Sequence, residues 1–327
     1  MATASHVTTL IRSFKENDRE KFITTAIQLA AHEAQLGHSA VAQEIRQLVD
    51  AIKSQPASAK LLHFKKTDNA VIGELTIVSR PSARLTDLIL SKPLIERIKK
   101  IMHEYRQRAK LLAHGLNPRR KALLAGPPGT GKTMTARVLA GELNMPLYTV
   151  LMDKLVTKYM GETSAKLRQI FSCMPDQRGV YLFDEFDAIG GDRTRDNDVG
   201  EMRRVLNAFL QLLEEDGSQS LVIAATNEAN ILDSALFRRF DDVLRYENPD
   251  ENSIRELLRN RLGQFRQSVE AEAVLVESAM SLSHAEIAQA CSDAIKDAIL
   301  HDMSTAPTEY VLDALSARKA KYLPVSH

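Results

Sequence analysis

Two cysteines in 327 residues, Cys173 and Cys291, are too few for a disulfide framework and lack zinc-type spacing. A reducing compartment is expected on that ground. Aromatic residues make up only 5% of the chain, which leaves little for stacking nucleobases. No apolar run is long enough to span a bilayer. Arg12, Lys15, Glu16 and Asp18 precede any long apolar run, so no secretory leader is expected and a cytoplasmic location follows. Charge of one sign is also missing: 43 basic and 42 acidic residues give a formal net charge of +1. That balance argues against bulk DNA or an anionic membrane as partner, while leaving room for a local basic patch. There is no His-Glu-x-x-His and no evident Ser/His/Asp constellation, so any proteolysis would come from another polypeptide. No tandem repeat or low-complexity tract is evident. What is present is ordinary for a globular chain, 44% apolar and 26% charged. The length suggests two domains with room for a small third.

Residues 5–54 read as three helices. Val7, Leu10, Ile11 and Phe14 fall at helical spacing. Asn17 with Glu20 resembles a capping box opening a second helix, with Phe22, Ala26 and Leu29 on one stripe and Gly37 at its end. Ser39 opens a third, striped by Val41, Ile45, Leu48 and Ile52. The Ser/Pro/Ala stretch over 54–59 reads as linker. From about residue 119, short apolar runs at 121–125, 147–150, 180–183, 221–225 and 243–246 alternate with helical stretches. That pattern predicts an α/β fold, a mostly parallel sheet covered on both faces. After Pro249 the strand signal fades, and Ile254, Leu257, Leu258 and Leu262 begin a helical region that runs nearly to the end. The division expected is a helical N-terminal domain over 1–60, a linker over 61–83, a large α/β domain over 84–248 and a helical domain over 249–327.

Four segments carry chemistry. Residues 126–133, Gly126, Pro127, Pro128, Gly129, Thr130, Gly131, Lys132 and Thr133, fit Gly-x-x-x-x-Gly-Lys-[Ser/Thr], a loop whose backbone N–H groups wrap phosphates. The apolar run 121–125 before it and the helix-compatible run from Met134 after it supply the strand–loop–helix context the motif requires. The loop then meets a helix N-terminus, where unpaired amides and the macrodipole favour anions. Lys132 is expected at the β- and γ-phosphates and Thr133 on Mg²⁺. Second, the run Val180–Phe183 delivers Asp184 and Glu185 at the C-terminal end of a buried strand, the ligand face of such sheets. Asp184 is expected to support the metal and Glu185 to polarise an attacking water as general base. Third, the run over 221–225 leads into Thr226 and Asn227, an amide able to orient water and sense the γ-phosphate. Fourth, residues 232–241 bring Arg238 and Arg239 to the end of a helix. A planar, always charged guanidinium suits a transferring phosphoryl group, and a basic helix end equally suits the dipole. On the residues alone the two readings of this pair stand level.

Taken in order, GPPGTGKT, YLFDEFDAIG, AATN and LDSALFRRFD resemble the AAA branch of the AAA+ ATPases, over about residues 84–318. The resemblance implies a P-loop AAA+ sheet with an all-helical lid, ATP and Mg²⁺ as ligands, and a ring, usually a hexamer, with nucleotide between neighbours. Arg238 and Arg239 are then arginine fingers acting on the next subunit. Asp216 and Gly217 match the family's inter-subunit signalling turn. The family's substrate-gripping loop falls on Lys158–Thr163, where Tyr159 and Met160 offer adaptable apolar surface beside Gly161. A second pore-facing loop falls on 190–195, whose glycines and mixed charge equally fit an ordinary flexible loop. Where the family has Ser-Gly-Ala in the lid, this chain has Ser283, His284 and Ala285, which questions close backbone approach there. No arginine stands at that point, so no second-sensor arginine is assigned. The family's adenine contacts fall around Asp87–Leu90.

The function expected is ATP-driven unfolding, translocation or disassembly of protein through a ring pore, with the N-terminal helices docking an adaptor, cargo or separate protease. A nucleic-acid motor, using Arg193, Arg195, Arg203 and Arg204, is the alternative. A non-catalytic ATP-dependent switch is the third reading, and the intact Glu185 and both arginines speak against it.

Overall fold

In the computed structural model the chain divides into two compact units, residues 1–65 and 66–327. The structure describes residues 19–35, every second residue over 41–49, and 73–156, 160–189, 196–227, 237–266 and 272–320. The expected first helix, Asn17, Tyr159, the loop 190–195 and residues 232–236 lie outside these. In the first unit, α1 (Arg19–Gln35) buries Ala26 and Ala30, and residues 41, 43, 45, 47 and 49 are helical. Val49 is buried there, whereas Val41, placed on the buried stripe by spacing, is exposed.

The second unit is built on a six-stranded sheet in the order β1-β3-β4-β5-β2-β6. The strands are β1 (Thr76–Ser79), β2 (Lys121–Ala125), β3 (Leu147–Val150), β4 (Val180–Phe183), β5 (Leu221–Thr226) and β6 (Asp242–Arg245). The last five are parallel, and β1 runs antiparallel along β3. β1 falls within the stretch read as linker. It is an edge strand with Ile77 and Val78 both exposed, so it lacks the alternation that marks a half-buried strand. The central strands lack alternation for the opposite reason, being buried on both faces. Successive side chains still point to opposite sides. Val180 and Leu182 of β4 pack on one face with Leu124, Ile223 and Leu244. Tyr181 and Phe183 pack on the other with Leu123 and Val222.

The first face is covered by α2 (Lys92–Arg106), through Ile98, Ile101 and Tyr105, and by α4 (Lys132–Glu142), with the short α3 (Arg108–Ala113) between them in sequence. The second is covered by α6 (Met160–Cys173) and α7 (Asp196–Glu215), with the single turn α5 (Met152–Leu155). There Phe209 meets Phe171 and Phe183 edge-on, at 5.7 and 5.0 Å between ring centres. The helical region after the sheet comprises α8 (Glu251–Leu262), α9 (Glu272–Ala279), α10 (His284–Leu300) and α11 (Thr308–Ala320). It has its own core around Ile254, Leu258, Ile287 and Leu315. Asp250 caps α8, accepting from Ser253 N at 2.8 Å. Ser283 and Glu286 form a capping box at the start of α10. No helix among the described residues is long and apolar enough to cross a membrane.

Candidate active site

Register brings the chemistry-bearing segments to one edge of the sheet. β5 lies between β4 and β2, with Ala125 opposite Thr226 and Phe183 opposite Ala224. The residues that follow, Gly126, Asp184 and Asn227, therefore leave the sheet side by side at its C-terminal edge, where open α/β sheets bind ligands. Gly126 N donates to Thr226 O at 3.2 Å.

The phosphate loop is wedged from two sides. A Cβ on Gly126 would lie 2.2 Å from Tyr246 O, on the chain leaving β6. Gly129 has φ +75°, and a Cβ there would lie 2.6 Å from Ser283 Oγ. Ala285 N donates to Gly129 O at 3.0 Å. The backbone next to His284 thus meets the phosphate loop beside a half-buried imidazole. It lies near the Ile89 backbone and Asp250, and burial holds its pKa below the usual value despite both. Thr130 is fully buried and its Oγ1 donates to Pro127 O at 2.8 Å, so its hydroxyl shapes the loop.

Lys132 opens α4, and its Nζ donates to Gly126 O and Pro127 O, each at 2.7 Å. Burial lowers its pKa, and Asp184 and Asp187 oppose that shift. Thr133 Oγ1 donates to Asp184 Oδ2 at 2.7 Å. A hydroxyl and one carboxylate, completed by phosphate and water oxygens, are the donors a hard divalent cation takes at such sites. No cluster of three or more His, Cys, Asp or Glu able to hold a metal exists among the described residues. The donor set therefore fits a metal carried in with phosphate. Glu185 is exposed, with φ +51° and its N donating to Asp184 Oδ1 at 3.1 Å. A left-handed backbone at a non-glycine residue costs about 1 kcal/mol or more and gathers at functional sites.

A cavity of about 460 Å³ opens over these groups, of the size that small-molecule ligands occupy. Residues 128–134, including Met134, line it with Asp184, Glu185 and Asn227. Asp87–Leu90 form a second wall, at the stretch expected to meet the base. Gly126 and Pro127 are not among the lining residues and act through their carbonyls on Lys132.

Two residues that the sequence reading passed over belong here. Asp187 accepts from Asn227 N at 3.3 Å, tying the end of β5 to the turn after β4. Its signal was the third acidic residue in Asp-Glu-Phe-Asp. Arg261 lines the lid side of the cavity with Leu257, His284 and Ala288. It comes from α8 and not from the helix where a sensor arginine was sought. Leu257 and Arg261, four apart, share a helix face, and that spacing could have revealed it. Arg255, Arg259 and Arg266 instead converge on the buried Glu272.

Arg238 and Arg239 do not line this cavity. Both are exposed, and Arg239 pairs with Glu214. Asp241 N donates to Lys121 O at 2.8 Å, so the pair sits where β2 begins, whereas the phosphate loop follows where β2 ends. Five residues of strand separate the two, about 16 Å. Asp216 is held firmly within its own chain. Its side chain is 2% exposed and paired with Arg120, which also bonds the Asp216 carbonyl, while Ser218 N donates to its Oδ1 at 3.0 Å.

The family described as "ATPase family associated with various cellular activities (AAA)" matches residues 122–248. The chain is 32% identical over 287 residues to the uncharacterized AAA family ATPase y4kL of Sinorhizobium fredii, covering 86% of this chain and 85% of that protein. It is 36% identical over 208 residues to the proteasome-activating nucleotidase of Pyrococcus furiosus, covering 59% of this chain and 50% of the relative. It thus spans about half the length of that nucleotidase. The crystal structure of the FIGL-1 AAA domain superposes with a TM-score of 0.61 at 24% identity, covering 80% of this chain and 92% of the other, a likeness of fold. A relative matched along most of both chains, together with the phosphate loop, the Asp-Glu strand end and the lid already in place, settles the assignment: the chain belongs to the AAA family of ATPases, binding ATP and hydrolysing it.

Proposed function

We propose that this ATPase works as a closed ring, hexameric as is usual in its family, with each nucleotide clasped between two copies, and that hydrolysis drives unfolding, translocation or disassembly of protein substrates. The observation that carries the reading is the place of Arg238 and Arg239, at the opposite edge of the sheet from the phosphate loop of their own chain. A guanidinium cannot cross about 16 Å of strand, so these charges serve a nucleotide held by another copy.

Within the cradle, Lys132 exchanges its two loop carbonyls for phosphate oxygens, and the first amides of α4 face the same anion. Thr133 and Asp184 would hold Mg²⁺, which would neutralise phosphate charge. Glu185 takes the proton of the attacking water, and general-base action of this kind contributes about a hundredfold to ten-thousandfold. Asn227, held by Asp187, orients that water and senses the γ-phosphate. Arg238 and Arg239 stabilise charge on the phosphoryl group in flight, an effect of about a thousandfold or more.

The protein-remodelling part rests on the residues ahead of α6. Met160 opens that helix, and Tyr159 before it lies outside the described residues. Tyr159, Met160 and Gly161 suit a sequence-tolerant grip on extended polypeptide. The nucleotidase relative is named for activating a proteasome, which favours a protein cargo and a separate protease or adaptor met through the N-terminal helices. Glu185→Gln tests the reading. It should bind ATP, hydrolyse it slowly, accumulate as rings and retain a polypeptide that Tyr159→Ala releases. Retention of DNA or RNA in place of protein, or a monomer under saturating ATP, would overturn it.

A further inference from the structure

We infer that Glu214 is a positioning residue that parks Arg239 until a neighbour's nucleotide draws it away; the inference rests on the shared-site reading above. Glu214 stands in the last turn of α7, and Arg239 in the turn before β6. Their side chains form an ion pair and remain 47% and 43% exposed, so both reach solvent and are open to another copy.

The pairing is set by the backbone on either side. Two residues after Glu214, the buried Asp216 is held by Arg120 through both its carboxylate and its carbonyl. Two residues after Arg239, Asp241 accepts from Arg120 N at 2.8 Å and Lys121 N at 2.9 Å. The end of α7 and the arginine turn are thereby fastened to one point, the first residues of β2. Arg238, beside Arg239, makes no ion pair among the described residues, so the two arginines are not equivalent.

A half-exposed pair of this kind is weak. It holds the guanidinium in one place without locking it there. A triphosphate offers several charged oxygens to a planar fork that a single carboxylate engages through one nitrogen. Docking of a neighbour's site therefore pulls Arg239 from Glu214. While no such site is engaged, Glu214 neutralises the finger and keeps it from competing anions.

The test uses the full chain, with turnover measured against protein concentration at saturating Mg-ATP. Glu214→Gln should raise turnover at limiting protein about two- to fivefold, the factor a weak exposed pair is worth. Glu214→Asp should return the rate towards the unaltered enzyme, and Glu214→Ala should behave as Glu214→Gln. Adding Arg239→Ala to Glu214→Gln should abolish the gain, because it acts through Arg239. An unchanged or lower rate in Glu214→Gln and Glu214→Ala, at an unchanged melting temperature, would overturn the inference. If Arg239→Ala alone keeps full turnover, the shared site itself fails. If Arg239→Ala is inactive while Glu214→Gln tracks the unaltered enzyme, parking alone fails.

Discussion

Two crippled copies should restore each other, and the amount follows from where the parts sit. Lys132→Ala removes the cradle's charge; Arg238→Ala with Arg239→Ala removes the fingers. Each variant alone should lose about a thousandfold or more in turnover. In a ring, one copy supplies the cradle of a site and its neighbour supplies the fingers. After equal mixing with subunit exchange, a site works only if its cradle comes from the finger-defective copy and its fingers from the cradle-defective one. Half of the positions meet each condition, so about a quarter of the sites are whole. A coupled ATPase assay should then read about a quarter of the unaltered rate if sites fire independently, more than a hundredfold above either variant alone. Restoration depends on the strand from Lys121 to Ala125, which keeps Arg239 from reaching the cradle of its own chain. A mixture no faster than the sum of its parts, with the unaltered enzyme active as an isolated single chain, would refute it.

Gly126→Ala forces a methyl group against the backbone carbonyl of Tyr246, a residue whose N–H donates to Ala125 O of β2, so neither side yields. A loss of about 1–3 kcal/mol in urea unfolding and a collapse of nucleotide binding are expected, and a fully stable, binding-competent variant would contradict the packing argument. Arg261→Ala should weaken binding of a fluorescent nucleotide about fivefold, the worth of roughly 1 kcal/mol for a charged contact at an exposed wall, while leaving stability unchanged. Unaltered affinity would place the guanidinium outside the ligand's reach. Asp216→Ala leaves Arg120 without its buried partner and should cost about 3 kcal/mol or more in unfolding free energy. A normally stable variant defective only in cooperativity between sites would favour the signalling role.

The parts of the fold legible in the sequence were those with a strong local signature. β2, β4 and β5 are short runs buried on both faces, and each ends in residues a packed sheet would expel: glycine, paired acids, an amide. Their ends stand at ±1 residue of the expected ones. β1 escaped because four residues at an exposed edge carry no burial pattern. The buried pair of Asp216 with Arg120 is not legible locally, because its partners lie 96 residues apart. Arg261 carries no motif of its own, because the cavity wall is made by α8 as well as by α10. Long-range pairing decided each of these cases, and local periodicity carries no record of it.

The contacts around the phosphate loop also imply how its state reaches the lid. Ser283 stands against Gly129 and at the same time caps α10, its N donating to the Glu286 carboxylate at 2.7 Å. The turn pressed on the loop is therefore rigidly part of the helix behind it, and α10 shares one apolar core with α8 and α11. A displacement of Gly129 cannot be absorbed by a slack connection. The other side of the loop is equally firm: Tyr246 N bonds Ala125 O at 2.7 Å, and its hydroxyl, buried, donates to Thr135 Oγ1 of α4 at 2.7 Å. Only the few residues after Tyr246 join this fixed base to α8, and there Asn248 Nδ2 donates to Ser281 O at 3.2 Å, just ahead of the same Ser283 turn. The loop is thus gripped by two stiff bodies joined through a short hinge. A change in the phosphates it holds therefore bears on the lid through Ser283 and α10 as one piece.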